Sequence, residues 1–145
     1  MVPPVDLLDV NVWLALSTSE HPHHHSAQTY WRDASAERLA FCRVTVLAFL
    51  RLITHATVMG GQPLSAQEAW TAYEAWAQDD AVFVAHEPEG CDHFLADWTR
   101  RGAISSRLWT DGYLAAFAKA SGFRLVTFDR DFTRFDGLHL LQLNG

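Results

Sequence analysis

The stretch Val5-Asp-Leu-Leu-Asp-Val10 decides the fold class, because a short and mostly apolar run of this kind is typical of a buried strand in a parallel sheet. Phe123–Phe128 has the same character near the other end of the chain. Three more strands are predicted at 40–44, 81–85 and 138–143. Helical patterns separate these runs, and the connections are short. Strands that alternate with helices predict a parallel sheet covered on both faces, which is an α/β/α architecture.

Residues typical of helix ends locate the helices, which are predicted at 12–16, 26–39, 45–58, 65–76, 91–101 and 110–121. Asn11 is expected to cap the first helix and Thr110 the last, because both side chains can accept a hydrogen bond from an unpaired backbone N–H. Ser65-Ala-Gln-Glu68 is a capping-box pattern at the start of the fourth helix. Gly60-Gly61 is expected to end the third helix and Gly122 the last.

Length and composition predict one folded domain that spans 1–145, since 49% of the 145 residues are hydrophobic and only 19% are charged. No apolar run approaches the ~18 residues that cross a bilayer, so no membrane association is expected. Cys42 and Cys91 stand alone, without the spacing of a metal or redox motif. We interpret them as free thiols, with a disulfide as the minor alternative, and expect a cytoplasmic protein.

Four aspartates lie where ends of strands and helices should meet. Asp9 closes the first strand, and Asp129 and Asp131 follow the strand Phe123–Phe128 directly. In open parallel sheets ligands bind beyond the carboxyl ends of the strands, so these three carboxylates are expected at one edge. Asp111 lies in the first turn of a predicted helix, and the residues three, four and seven positions later are apolar. Asp111 is therefore predicted to point inward, on the side of the helix that faces the sheet.

Carboxylates gathered in this way repel one another, and a divalent cation would resolve the conflict. Oxygen ligands of this kind suit Mg²⁺, with Mn²⁺ as a substitute, and such ions activate water for phosphodiester cleavage. The formal net charge of −6 disfavours a nucleic-acid partner, but bound divalent ions would offset much of it. The predicted catalytic residues are Asp9, Asp111, Asp129 and Asp131. The first three are the predicted metal ligands, and Asp131 is a further candidate ligand. Asn11 and Thr127 are predicted to position ligands or water.

Three motifs carry the acidic residues: Leu8-Asp-Val-Asn-Val-Trp-Leu14, Thr110-Asp-Gly-Tyr-Leu-Ala-Ala116 and Leu125-Val-Thr-Phe-Asp-Arg-Asp-Phe132. They resemble the motifs of the PIN-domain nucleases, and in particular the VapC toxins of toxin–antitoxin pairs. The resemblance implies a three-layer α/β/α PIN-like fold with a central, mainly parallel five-stranded sheet. It also implies a Mg²⁺-dependent endoribonuclease that cuts RNA (tRNA, rRNA or mRNA) to inhibit translation, is neutralised by a VapB-type antitoxin and forms a homodimer.

One position departs from the family pattern. PIN-domain nucleases usually carry a Glu in the helix after the second strand, whereas here that helix contains Thr45-Val-Leu-Ala-Phe-Leu-Arg51 and no acidic residue. Phe49 stands at the expected Glu position. The departure leaves open an alternative, in which the chain is a catalytically degenerate PIN-like module that binds RNA or a protein partner without cleavage.

Two other α/β classes that combine aspartate with Mg²⁺ fit less well. A receiver-like phosphoacceptor domain needs a lysine after a late strand, whereas the only lysine, Lys119, lies in the middle of a predicted helix. A haloacid-dehalogenase-like phosphatase needs Asp-x-Asp after the first strand, and the sequence here is Asp9-Val-Asn11. Asn11 therefore removes the second carboxylate that this class requires.

Two further features are conspicuous in the sequence. His21-Pro-His-His-His25 is a His-rich run that can bind Zn²⁺ or Ni²⁺, but consecutive histidines do not by themselves make a tetrahedral site. We favour a structural or surface role over RNA contact, and RNA contact over a metal site. Trp13 lies beside the acidic end of the first strand and is expected to pack against RNA or the antitoxin.

Overall fold

A five-stranded parallel sheet forms the centre of the structure, a computed structural model that describes residues 3–145. The predicted domain range, 1–145, also includes Met1 and Val2, which lie outside the described residues. The sheet has the order β3-β2-β1-β4-β5, and every neighbouring pair is parallel. The strands are β1 (Val5–Leu8), β2 (Arg38–Phe41), β3 (Val82–Val84), β4 (Arg124–Thr127) and β5 (Leu140–Gln142). The five predicted strands and their parallel arrangement are confirmed, but β2 lies at Arg38–Phe41 and not at 40–44, and Arg43 and Val44 belong to the helix that follows.

Helices cover both faces of this sheet, as the alternation of elements predicted. The helices are α1 (Val10–Ser17), α2 (His24–Asp33), α3 (Arg43–Ile53), α4 (Ala66–Ala77), α5 (Cys91–Arg100) and α6 (Trp109–Ser121). Leu7 of β1 packs with residues of α5 and α6, and the next residue, Leu8, packs with residues of α1, α3 and α4. This alternation follows from the pleat of the strand, which sends successive side chains to opposite faces. Two buried cores result, one on each side of the sheet.

The first and last helices begin differently from the predictions. Asp9, not Asn11, is the N-cap of α1, because its carboxylate accepts a 2.7 Å hydrogen bond from the backbone N–H of Val10. Helix α6 begins at Trp109, and the predicted cap, Thr110, already lies inside it. A 3₁₀ turn over Ser106–Leu108 leads directly into α6, so the helix starts without a side-chain cap. Gly122 ends α6 in the left-handed conformation, as predicted.

Helix α3 is shorter at its C-terminus than predicted. It ends at Ile53, where the Thr54 hydroxyl donates a 2.8 Å hydrogen bond back to the carbonyl of Leu50, and Gly60-Gly61 lie in the turns that follow. Its start is fixed by Thr45, whose hydroxyl accepts from the backbone N–H of Cys42 at 2.9 Å. The predicted capping box of α4 is confirmed, since Ser65 and Glu68 exchange hydrogen bonds of 2.9 and 3.1 Å.

The expectation for Trp13 is wrong. Its side chain is 0% exposed and stacks on Phe41, with the ring centroids 3.9 Å apart. Trp13 is therefore a core residue between α1 and the sheet, and it offers no surface to RNA or to a partner. The interpretation of Cys42 and Cys91 as free thiols is confirmed, and both are buried. Within residues 3–145, none of the helices is both long and apolar enough to cross a membrane.

Candidate active site

A hydrogen-bonded unit joins the carboxyl ends of β1 and β4, which are neighbours at the point where the strand order reverses. The Thr127 hydroxyl donates a 2.7 Å hydrogen bond to Asp9 Oδ2 and accepts one of 3.0 Å from the backbone N–H of Asp129. The other oxygen of Asp9 accepts from the N–H of Val10. Both oxygens of Asp9 are thus oriented by the chain. A crevice at such a switch point is where ligands of open parallel sheets bind.

Asp9 is a buried carboxylate, with only 7% of its surface exposed. Burial raises the pKa of Asp9 from 3.8 to about 6, because a charged group loses its hydration there, while the hydrogen bond from Thr127 works in the opposite direction. The negative charges of Asp111 and Asp129 raise the pKa of Asp9 further. These two carboxylates therefore lie within the electrostatic reach of Asp9.

Asp111 projects from the first turn of α6, as predicted from the stripe formed by Leu114, Ala115 and Ala118, which are all buried. Burial is the main cause of the raised pKa of Asp111, and the charges of Asp129 and Asp131 add to it. Gly112 lets this turn pack closely, because a Cβ there would lie 2.6 Å from Ile104 Cδ1. The close packing fixes the end of α6 that carries Asp111.

Asp131 occupies a different environment from the other three aspartates. Its Oδ2 accepts a 3.0 Å hydrogen bond from Arg107 Nη1, and its Oδ1 lies 3.8 Å from Arg134 Nη2. Asp131 is therefore engaged by two guanidinium groups, whereas no salt bridge within residues 3–145 includes Asp9, Asp111 or Asp129. Its backbone N–H also donates to Asp129 Oδ1 at 2.8 Å, which ties the two aspartates together.

Asn11 is the last of the predicted site residues, and Phe49 stands where the family usually has a Glu. Asn11 Oδ1 accepts a long hydrogen bond of 3.5 Å from the backbone N–H of Phe128, so it supports the end of β4. Phe49 is 0% exposed and packs edge-to-face on Phe41, inside the core. As the side chains stand in residues 3–145, no group of three or more His, Cys, Asp and Glu is arranged to hold a metal ion.

The His-rich run lies beside this edge of the sheet. The ring of His23 stacks on that of Phe128, with centroids 4.7 Å apart, and His24 Nδ1 lies 2.7 Å from the carbonyl oxygen of Ala15. His25 is exposed. These contacts fasten the start of α2 to the end of β4 and to α1, which is a structural role.

Sequence reasoning missed Arg107, Arg134 and Gly112. Arg107 lies only four positions before Asp111, but its partner Asp131 is 24 residues away along the chain. No local pattern marks such a pairing. Gly112 stands inside a helix, where an isolated glycine is costly, and that is the signal that could have pointed to close packing.

Comparison with known proteins identifies the family of the chain. The PIN domain family matches residues 7–138 of the chain. Ribonuclease VapC41 of Mycobacterium tuberculosis is 40% identical over 142 residues, which cover 94% of this chain and 97% of that protein. The crystal structure of M. tuberculosis VapC20, a sarcin-ricin loop cleaving toxin, has a TM-score of 0.67 at 17% identity and covers 92% of this chain and 97% of that one. VapBC2 from Rickettsia felis, bound to a DNA fragment from their promoter, has a TM-score of 0.68 at 12% identity, covering 97% and 99%.

The chain therefore belongs to the PIN-domain family, and within that family to the VapC ribonucleases. The three-layer α/β/α fold with a five-stranded parallel sheet, which the motifs implied, is confirmed by the sheet and by the likeness to solved VapC structures. At 17% and 12% identity, the structural similarity to VapC20 and VapBC2 shows the fold alone.

Proposed function

We propose that the chain is a Mg²⁺-dependent endoribonuclease, with Mn²⁺ as a substitute, and that it is the toxin of a toxin–antitoxin pair. It cuts tRNA, rRNA or mRNA and thereby inhibits translation. The observation that carries the proposal is the unit of Asp9, Thr127 and Asp129 beside Asp111, at the switch point of the sheet. The likeness to VapC41, a protein named as a ribonuclease, supports the same activity.

Asp9, Asp111 and Asp129 offer the donor chemistry of a site for a hard divalent cation, although their side chains as they stand are not arranged to hold one. Carboxylate oxygens are the ligands that Mg²⁺ and Mn²⁺ prefer, and within residues 3–145 no cationic side chain forms a salt bridge with these three aspartates. Burial and mutual repulsion hold the pKa values of Asp9 and Asp111 high, and a bound cation would relieve the repulsion. Such an ion supplies activated water and stabilises the charge that develops during phosphodiester cleavage.

The chain's own residues orient this site. Thr127 fixes the Asp9 carboxylate and the backbone of Asp129 with one hydroxyl, and the N-cap bond from Val10 fixes the second oxygen of Asp9. Asp9 is therefore preorganised, which reduces the reorganisation needed when charge develops. Asp111 and Asp129 have fewer constraints, and we infer that rotation of their side chains completes the ligand set.

Cleavage of RNA by the purified chain tests the proposal. Total RNA is incubated with the chain and Mg²⁺, Mn²⁺ or EDTA, after any bound antitoxin has been removed under denaturing conditions. Cleavage is expected with either metal, and it should be lost with EDTA and in Asp9→Asn and Asp111→Asn. Asp33→Asn is the matched control, because Asp33 is an exposed aspartate in the last turn of α2. Equal cleavage by the wild type and both site variants would indicate a contaminating nuclease and would refute the proposal.

A second candidate function is RNA or protein binding without cleavage. Burial of Phe49 at the expected Glu position favours it, because no carboxylate on α3 can then complete the site. Absence of cleavage of any RNA by the antitoxin-free chain, together with retained RNA binding, would establish this alternative.

The proposed protein partners are a VapB-type antitoxin and a second copy of the chain. Solved structures with this fold include the VapBC2 complex, which supports the antitoxin. The large apolar side chains of Leu47, Trp70 and Trp109 are 59%, 49% and 52% exposed, and we propose that a partner covers them. Light scattering of the chain alone should give the mass of a dimer, and co-expression with the antitoxin should give a stable complex. A monomer in the first experiment would exclude the homodimer.

A further inference from the structure

The ion pair of Arg107 and Asp131 bridges the two segments that carry Asp111 and Asp129. Arg107 lies in the 3₁₀ turn Ser106–Leu108, directly before α6 and its Asp111. Asp131 lies in the 3₁₀ turn Arg130–Arg134, directly after Asp129. The 3.0 Å bond between them therefore stands at the rim of the acidic site.

The charges at this rim do not cancel. Asp131 is shared by Arg107 and Arg134, so one carboxylate faces two guanidinium groups and the set carries one net positive charge. The hydrogen bond to Asp131 is the main cause of the raised pKa of Arg107, and the charges of Asp129 and Asp111 contribute to it. A positive rim thus lies next to a negative centre, although the whole chain has a formal charge of −6.

Arg107 and Arg134 differ in how many of their N–H groups donate hydrogen bonds. Arg134 donates to the carbonyl oxygens of Asp131 at 3.2 Å and Ala103 at 3.5 Å, so its fork is tied to the backbone. Among the described residues, Arg107 donates only through Nη1 and only to Asp131, and its side chain is 66% exposed. Its remaining N–H donors make no hydrogen bond within the described residues, and a planar guanidinium presents such donors in a geometry suited to phosphate oxygens.

We propose that Arg107 binds a backbone phosphate of the RNA beside the acidic centre, and that Asp131 is its positioning residue and not a metal ligand. The inference rests on the proposed ribonuclease function and names the substrate contact of that same site. Asp131 holds the arginine at the rim through one nitrogen, which leaves the outer face of the guanidinium for the polyanion. The arrangement also explains why the fourth aspartate, unlike the other three, has cationic partners in the protein.

RNA binding without metal tests the role of Arg107 apart from catalysis. The probe is a fluorescein-labelled single-stranded RNA of mixed sequence, measured by anisotropy in the Asp9→Asn background with EDTA. Arg107→Ala should weaken binding by roughly tenfold. The plot of log affinity against log salt concentration should become shallower by about 0.7, because one phosphate contact is lost. Arg107→Lys should keep the slope but not the full affinity, because it keeps the charge and loses the fork.

The chain offers a matched control for this experiment. Arg32 is also 66% exposed and also forms a 3.0 Å ion pair, with its neighbour Asp33, but in the last turn of α2. Arg32→Ala should leave the affinity and the salt slope unchanged. If Arg107→Ala binds RNA as Arg32→Ala does, or if the Asp9→Asn protein binds no RNA at all, the role of Arg107 is refuted.

The role of Asp131 has a separate readout. Asp131→Asn should keep the rise in melting temperature that Mg²⁺ causes, whereas Asp111→Asn should lose it. Loss of the rise in Asp131→Asn would make Asp131 a metal ligand and overturn the assignment. If the wild type fails to cleave RNA, the proposed function fails, yet the metal-free binding data still decide whether Arg107 contacts phosphate. The two conclusions can therefore fail independently.

Discussion

Arg124 binds Asp6 through two parallel hydrogen bonds, from Nε at 2.8 Å and from Nη2 at 2.9 Å, and the two residues are also direct cross-strand partners in the pair β1–β4. Asp6 is 1% exposed and receives further hydrogen bonds from the Tyr30 hydroxyl and from the backbone N–H of Ala36. The same alignment of strands, continued by three residues, places Asp9 opposite Thr127. The buried ion pair thus fixes the alignment of β1 and β4 at one end of these strands. The candidate site depends on that alignment at the other end.

Asp6→Ala should therefore destabilise the fold strongly. It leaves the Arg124 guanidinium, the Tyr30 hydroxyl and an N–H without their partner, and removal of one member of a buried ion pair typically costs about 3–5 kcal/mol. Urea denaturation measures the free energy of unfolding. Asp33→Ala breaks an exposed ion pair with Arg32 and should change stability little. Equal stability of the two variants would show that the pair of Asp6 and Arg124 does not hold the strands.

Thr127→Val tests the orientation of the site carboxylates. Valine has nearly the shape of threonine, but it removes the hydroxyl that serves both Asp9 and Asp129. Loss of a residue that orients a metal ligand typically lowers metal affinity or activity by about 10–100-fold, and we expect the rate of RNA cleavage to fall by that order. Thr99→Val is the control, because the exposed Thr99 hydroxyl only donates back to Leu95 in α5. Wild-type cleavage by Thr127→Val would remove Thr127 from the machinery.

Features that depend on local sequence could be predicted. Each strand is a short apolar run, and the apolar positions at helical spacing after Asp111 gave the buried side of α6 correctly. The aspartates that follow β1 and β4 reach one edge because parallel strands end on the same side. Strand positions and site placement followed from patterns only a few residues long.

Features that depend on distant partners could not be predicted. Trp13 is buried because Phe41, on a separate strand, stacks on it, and nothing in the sequence around Trp13 records that contact. Asp131 is held by Arg107, and Asp6 by an arginine 118 residues away. The cap of α1 was misplaced because Asp9 and Asn11 are both good caps, and only the end of β1 at Leu8 decides between them.

The raised pKa of Asp9 predicts how stability changes with pH. Because burial raises that pKa from 3.8 to about 6, the folded chain binds this proton more tightly than the unfolded chain does. The contribution of Asp9 to stability is therefore full below about pH 4 and is lost as the pH rises through 6, by an amount on the order of 2–3 kcal/mol. Asp9→Asn keeps the N-cap but does not titrate. Without metal, its free energy of unfolding relative to that of the wild type should therefore rise by this amount between pH 4 and pH 7.5.

Thermal unfolding in EDTA across this pH range measures the effect. Mg²⁺ should stabilise the wild type at pH 7.5 and have no effect on Asp9→Asn, since the cation binds the ionised carboxylate. If stability changes with pH by the same amount in the wild type and in Asp9→Asn, Asp9 is not buried in its neutral form below pH 6. A response of Asp9→Asn to Mg²⁺ would show that the ion binds elsewhere.

Phe49→Glu tests whether the missing acidic residue can simply be restored. Phe49 is 0% exposed and packs on Phe41 in the core, so the new carboxylate would enter an apolar environment with no partner. The lost packing alone should cost about 3–5 kcal/mol, and burial of the charge adds to it. We expect a lower urea midpoint at pH 7.5 with partial recovery at pH 5, where the side chain can be protonated. Phe49→Leu, which stays apolar, should cost much less. A stable Phe49→Glu protein with tighter Mg²⁺ binding would show instead that α3 can turn this position toward the aspartates, and that the acidic site lacks only this side chain.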